Sequence, residues 1–173
     1  MKSPTSSTRP MMDRVKESLF SSLGDLGGQS VLDLYAGSGS LGLEAISRGA
    51  KRAIFVENAR EAILKLEQNI EATGLDGTEV LWADVRSMIS RAPDDRFDLI
   101  FVDPPYNQQA AAVREDLESL VMGGFLADEG RIVVHRPAKE NEIEPLGLQL
   151  LWSREYGQSR LMIYTHEDEE EEG

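Results

Sequence analysis

Apolar positions along this chain follow two spacings. Val15, Leu19, Phe20 and Leu23 recur at the interval of an amphipathic helix that Gly24 closes, so a leading helix is expected over about 12–23. Beyond Gly27-Gly28 the spacing changes to short continuous runs. Val31 to Tyr35, Ala53 to Glu57, Glu79 to Ala83, Phe97 to Val102 and Arg131 to His135 each read as a strand. Helical stretches fall between them: Gly42 to Arg48 ended by Gly49, Ala59 to Thr73 stopped by Gly74, a short segment around Val85 to Ser90, and Ala110 to Met122 before Gly123-Gly124. From Leu148 the runs "LQLLWSREY" and "RLMIYTH" flank Gly157-Gln158-Ser159 and predict an antiparallel hairpin.

Strands that alternate with helices require a parallel sheet covered on both faces. The expected fold is therefore α/β, doubly wound and Rossmann-like, a mostly parallel seven-stranded sheet with an antiparallel C-terminal strand. A chain of 173 residues, 40% hydrophobic, suits a single domain over 1–166. The run "EDEEEE", Glu167 to Glu172, has nothing apolar to bury, so 167–173 reads as a solvated, disordered acidic tail. Met1 to Pro10 holds no apolar leader and no later segment reaches membrane-spanning length, which predicts a cytoplasmic protein without membrane contact, taken to be a monomer.

Charge and composition narrow the chemistry. Lys and Arg total 18 against 31 Asp and Glu, a formal net charge of −13, which argues against broad, sequence-independent binding to a polyanion. The absence of cysteine excludes disulfides, thiolate metal sites and every cysteine-nucleophile mechanism, including carbon-5 methylation of pyrimidines. His135 and His166 show no ligand-like spacing, so no metal is assigned. Trp82, Trp152 and Tyr164 read as core or edge packing. Arg9, Arg14 and Lys16 are either a solvated helix face or substrate contacts.

In such sheets, ligands bind beyond the carboxyl ends of the strands, where strand order reverses. Four candidate segments fall there. "LDLYAGSGSLG", Leu32 to Gly42, leaves a strand through Ala36, Gly37, Ser38 and Gly39 and opens a helix, a geometry that lets backbone approach a ligand and offers free N–H groups. Glu57, followed by Asn58, lies twenty residues past Gly37 at the next strand end, placed to accept from ribose hydroxyls. A nicotinamide dinucleotide and S-adenosylmethionine both present a ribose to such an acid. Asp33, inside the first strand, tilts toward the second, because a carboxylate there suits a cationic amino group. In "WADV" the Asp84 carboxylate is placed to accept from an adenine amine while the Val85 N–H donates to the ring.

The fourth segment is "FVDPPY". Proline has no N–H for a ladder, so the strand stops at Asp103. Asp103, Pro104, Pro105 and Tyr106 resemble the signature of class I methyltransferases that modify exocyclic or amide nitrogens. An aromatic amine is a poor nucleophile, its lone pair delocalised into the ring. If the Asp103 carboxylate and the Pro104 carbonyl both accept its N–H bonds, the nitrogen is held with its lone pair aimed at a sulfonium methyl. The Tyr106 ring then offers a surface on which the extruded base stacks.

Together with "TRPMMDRVKESLF", Thr8 to Phe20, and "LDLYAGSGSLGLEAISRGA", the proline motif makes the chain similar to the bacterial 16S ribosomal RNA guanine-N2 methyltransferase family of RsmD type, from Thr8 to about Thr165. The resemblance implies an S-adenosylmethionine-dependent methyltransferase domain acting on a guanine exocyclic amine, with 16S rRNA in the small subunit or an assembly intermediate as partner. It sets Gly37, Ser38 and Gly39 against the methionine end of the cofactor, Glu57 on the ribose, Asp84 and Val85 at the adenine, and Asp103 to Tyr106 at the target base. Arg9 and Arg14 would lie near the mouth of the site. Family members usually begin with a basic, glycine-containing hairpin, and Met1 to Ser7 is too short and neutral to supply one. Methylation of a DNA or RNA adenine or a protein glutamine, a dinucleotide-dependent oxidoreductase, and a scaffold without turnover remain as alternatives.

Overall fold

The computed structural model describes residues 13–168. Helix α1 (Asp13–Leu23) buries Val15, Leu19, Phe20 and Leu23 and ends where Gly24 turns left-handed at φ 73°. Strand β1 (Ser30–Leu34) follows, then α2 (Ser40–Ser47), β2 (Arg52–Glu57), α3 (Arg60–Thr73), β3 (Thr78–Trp82), α4 (Val85–Ile89), β4 (Phe97–Val102) and α5 (Ala110–Met122). The chain closes with β5 (Leu126–Pro137), β6 (Leu148–Tyr156) and β7 (Ser159–His166).

The seven strands form one sheet in the order β3-β2-β1-β4-β5-β7-β6. The first five in that order run parallel, and β7 pairs antiparallel with both β5 and β6. Strand order reverses between β1 and β4, so their carboxyl ends flank a crevice of the kind such sheets use for ligands. The expected α/β architecture and antiparallel last strand are those observed.

Alternating side chains divide the core between the two faces. Val31, Leu99, Phe101 and Val133 pack with Val15, Leu19 and Phe20 of α1, with Leu41 and Ala45 of α2 and with Leu66 of α3. Leu32, Leu34, Ile100 and Val102 pack on the other face with Val85, Ile89, Val113, Leu117 and Leu120 of α4 and α5. Asp33 lies between Leu32 and Leu34 and turns toward the α2 face, where it is 1% exposed.

Strand β5 is longer than the five residues expected. It begins at Leu126 opposite Phe97, and its register shifts before Arg131 pairs with Leu99. Ala127 to Gly130, half of them acidic, give no apolar run that would have marked this irregular start. Trp82 also differs from the packing expected of it, being 62% exposed on edge strand β3. Tyr164 is fully buried, and Trp152 packs against the α1 face. No helix among the described residues is long and apolar enough to cross a membrane. Met12, Arg9 and the acids at 169–172 lie outside the described residues.

Candidate active site

Hydrogen bonds from three directions hold the turn after β1. Ala36 N–H donates to Val56 O at 3.1 Å, Gly39 N–H to Ala36 O at 2.8 Å, and Asn69 Nδ2 of α3 to Ser38 O at 2.9 Å. Gly37 N–H donates to Glu57 Oε1 at 2.9 Å, and a Cβ added at Gly37 would meet nothing within 4 Å, so this backbone faces open space. Gly37 and Gly39 both have left-handed φ, 56° and 81°, which only glycine adopts cheaply. Tyr35 has φ 57° without that excuse, a costly conformation of a kind concentrated at functional sites.

Glu57 is more heavily engaged than a ribose acceptor alone. Its Oε2 also receives the N–H groups of Asn58 at 3.0 Å and Ala59 at 2.9 Å, at the start of α3. A carboxylate accepts about four hydrogen bonds, which leaves room for one more. Asp33 is likewise engaged locally, since its Oδ2 accepts the Gly42 N–H at 3.0 Å and so satisfies an orphan donor in the first turn of α2. Burial pushes the Asp33 carboxyl well above the usual range; the Gly42 N–H opposes this, and the charges of Asp103 and Glu57 add to it.

At the end of β4, Val102 pairs with Val134, which brings Asp103 beside His135. Asp103 Oδ1 lies 2.9 Å from His135 Nδ1, and His135 Nε2 lies 3.1 Å from the Tyr106 hydroxyl. That hydroxyl is in turn 3.0 Å from Ser159 Oγ at the start of β7. The Tyr106 ring stands edge-on to the imidazole, with centroids 5.6 Å apart and planes at 71°. His135 and Ser159 thus belong to a site in which sequence reasoning had not placed them. Their partners lie 32 and 53 residues away, and only the strand register reveals the pairing.

A second layer holds the proline loop. Gln108 N–H donates to Pro105 O at 3.0 Å, and the buried Arg136 donates to Gln108 O at 2.6 Å while forking onto both oxygens of Glu140 at 2.7 Å. No hydrogen bond to the Pro104 carbonyl is made among the described residues. The Gln108 amide donates to Asp116 Oδ2 at 3.1 Å, and the Tyr35 hydroxyl donates to the same oxygen at 2.6 Å. Burial, together with that bond to Asp116, raises the Tyr35 pKa. Arg86 Nε reaches the other Asp116 oxygen at 3.0 Å, so the glycine turn and the proline loop share one buried carboxylate.

The remaining candidates are more peripheral. Asp84 is exposed and caps α4, its Oδ2 accepting both the N–H and the hydroxyl of Ser87 at 3.1 Å. Val85 is buried as the first residue of α4. Asn58 is exposed, and its carbonyl accepts the Trp82 indole N–H at 2.9 Å. Helix α1 runs from the carboxyl side, where Ser18 meets Tyr156, to Arg131, which bonds Leu23 O. Arg14, one turn before Ser18, therefore sits toward the carboxyl edge, exposed, with Lys16 half-buried beyond it. No group of three or more His, Asp or Glu among the described residues is placed to hold a metal ion.

A family model described as conserved hypothetical protein 95 matches residues 1–165. The Escherichia coli K12 protein named ribosomal RNA small subunit methyltransferase D is 32% identical, the match covering 92% of this chain and 80% of that one. The solved structure of a hypothetical protein from Thermus thermophilus is 33% identical, with a TM-score of 0.77 over 94% of this chain and 91% of that one. A more distant structure, SMU.776, described as a candidate methyltransferase complexed with SAH, shares the fold at 17% identity, with a TM-score of 0.72 over 91% of this chain and 50% of that one.

Proposed function

The chain belongs to the conserved hypothetical protein 95 family, and from that premise we propose that it methylates the exocyclic N2 amine of a guanine in 16S rRNA of the small ribosomal subunit, using S-adenosylmethionine. One observation carries the reading: the Asp103 carboxylate stands at the carboxyl end of β4, across the β1/β4 crevice from a glycine turn that presents bare backbone. A dinucleotide oxidoreductase would use the turn and Glu57 but leaves the proline motif without a role. The name of the Escherichia coli relative supplies the rRNA substrate class.

The residues present fit the cofactor. The open side of Gly37 admits a close approach, Glu57 retains room for one ribose hydroxyl, and the buried Asp33 beside α2 favours an ammonium group through its charge and not through contact. Ala36, Ser38 and Gly39 shape the methionine end, Asn58 flanks the ribose, and Asp84 with Val85 borders the adenine. When bound, S-adenosylmethionine supplies an electrophilic methyl whose sulfur leaves with the C–S electron pair as the nitrogen lone pair forms the N–C bond.

The chain's own part is to hold the amine. Asp103 Oδ1 is occupied by His135, so Oδ2 is the oxygen left to accept an amine N–H, and the rigid Pro104 carbonyl accepts the other. Two acceptors on two N–H bonds fix the direction of the lone pair, and the same carboxylate stabilises the positive charge that grows on nitrogen. The surplus proton of the methylated nitrogen passes to Asp103 Oδ2. Pro105 and its bonded loop keep Tyr106 in place beside the extruded base, with Arg14 and Lys16 toward the flanking phosphates.

The test is transfer of tritiated methyl to undermodified small-subunit particles, naked rRNA, duplex DNA and release-factor protein, with the product identified by digestion and mass spectrometry. N2-methylguanosine from particles is the expected product. Labelled adenine or glutamine would sink the substrate assignment and leave the cofactor site standing. Asp103→Ala is expected to cut single-turnover transfer by at least about 10²-fold with cofactor affinity nearly intact.

A further inference from the structure

We propose that His135 is a positioning residue for Asp103, the middle of a one-way hydrogen-bond chain that runs from Ser159 through Tyr106 and His135 to the carboxylate. The inference rests on the reading of Asp103 as the acceptor for the target amine. Its geometry spans three segments brought together by strand register: His135 in β5, Tyr106 in the loop after β4, and Ser159 at the start of β7. His135 is 4% exposed, so its hydrogen bonds compete little with water.

The direction of the chain follows from what each atom is able to do. An ionised carboxylate only accepts, so at 2.9 Å His135 Nδ1 carries the proton and donates it to Asp103 Oδ1. With the ring taken as the neutral imidazole, Nε2 is then bare and the Tyr106 hydroxyl 3.1 Å away donates to it. The Tyr106 oxygen accepts in turn from the Ser159 hydroxyl at 3.0 Å. Every donor therefore points toward Asp103. Asp33 and Asp103 repel one another across the site, and the imidazole N–H offsets this at one oxygen while leaving the other for substrate. Without His135 the carboxylate turns freely about Cβ–Cγ, and neither oxygen has a fixed address.

Tyr106 separates this proposal from simple stacking. A phenylalanine keeps the ring but breaks the chain, so Tyr106→Phe loses several-fold in transfer rate here, whereas pure stacking predicts no change. The tautomer is measurable without any turnover. The chain has two histidines, so nitrogen-15 NMR of the full chain with a His166→Gln control assigns His135 directly. The expected spectrum shows Nδ1 protonated and Nε2 bare in the wild type, and a shift to the Nε2–H form common in water in Asp103→Ala.

For function, His135→Leu is expected to lower single-turnover methyl transfer by about 10–10²-fold, the scale of a misaligned reacting group, with S-adenosylhomocysteine affinity within about twofold. His135→Asn, whose side-chain N–H still donates to Asp103, recovers part of the rate. The losses in His135→Leu and Asp103→Ala do not multiply in the double variant, because the two act as one unit. An Nε2–H tautomer in the wild type, or an unchanged transfer rate in His135→Leu, overturns the proposal. A wild-type protein that methylates no nucleic acid overturns the functional reading instead, and the tautomer still decides the direction of the chain.

Discussion

Asp33 shows how one side chain serves two ends. Its bond to Gly42 stabilises α2, yet its burial penalises the ionised form. The folded pKa lies above the unfolded one, so the carboxyl's contribution to stability is fully present below the unfolded value and is lost as pH rises through the folded value. Asp33→Asn keeps an acceptor for Gly42 without the charge. Its melting temperature should therefore lack the decline that the wild type shows across that window, and at pH 8 the variant should be the more stable by roughly 0.5–2 kcal/mol. An ammonium ligand favours the ionised carboxyl, so wild-type affinity for S-adenosylhomocysteine should rise with pH over the same window and that of Asp33→Asn should stay flat. Calorimetry at several pH values tests both. Glu57→Ala should weaken the same ligand by about 1.5–3 kcal/mol and also lower the melting temperature, because three backbone N–H groups lose their acceptor. Lost affinity with an unchanged melting temperature would mean that the amides find water at no cost.

Helix α2 lies close against the sheet. A Cβ at Gly42 would approach Phe55 Cε1 to 2.5 Å and Asp33 Oδ2 to 3.0 Å. Gly42→Ala is expected to cost about 1–3 kcal/mol in denaturant unfolding and to weaken cofactor binding, since the helix must lift from Asp33. Elements with a regular apolar rhythm were legible in the sequence: β4 and α5 match their expected bounds, and α1 to its end at Leu23. The start of β5 was not, because Asp128 and Glu129 replace the expected apolar run with exposed charge. The same division holds in the site. Gly37, Glu57 and Asp103 announce themselves by residue type at strand ends, and the motifs they carry were enough to find the family. His135, Ser159, Asp116 and Arg136 did not, because each reaches the site through at least one partner remote in sequence and close only in the folded chain.

Over the whole molecule, charge sets the terms of the RNA encounter we propose. The chain carries −13, and Arg48, Arg52, Arg86, Arg96, Arg136 and Arg160 are already held in ion pairs with acids of the same chain. The other cations are outweighed by 31 acids, so RNA affinity should depend only weakly on salt, with about 2–4 phosphates neutralised in a plot of log K against log salt. Particles in which ribosomal proteins already present the guanine should be methylated well and deproteinised rRNA poorly. A steep salt slope, or equal labelling of both, would show that the charge balance does not govern recognition.

Strand β7 is the last element in sequence order among the described residues, yet it sits inside the sheet, between β5 and β6, and delivers Ser159 to the candidate site. Without β7 in place, β5 presents an open edge and the candidate site lacks Ser159. Closure of the sheet and completion of the proline-loop support are the same event. The methyl transfer we propose therefore depends on a completely paired sheet, because opening the β7 edge removes sheet closure and the support of Tyr106 together.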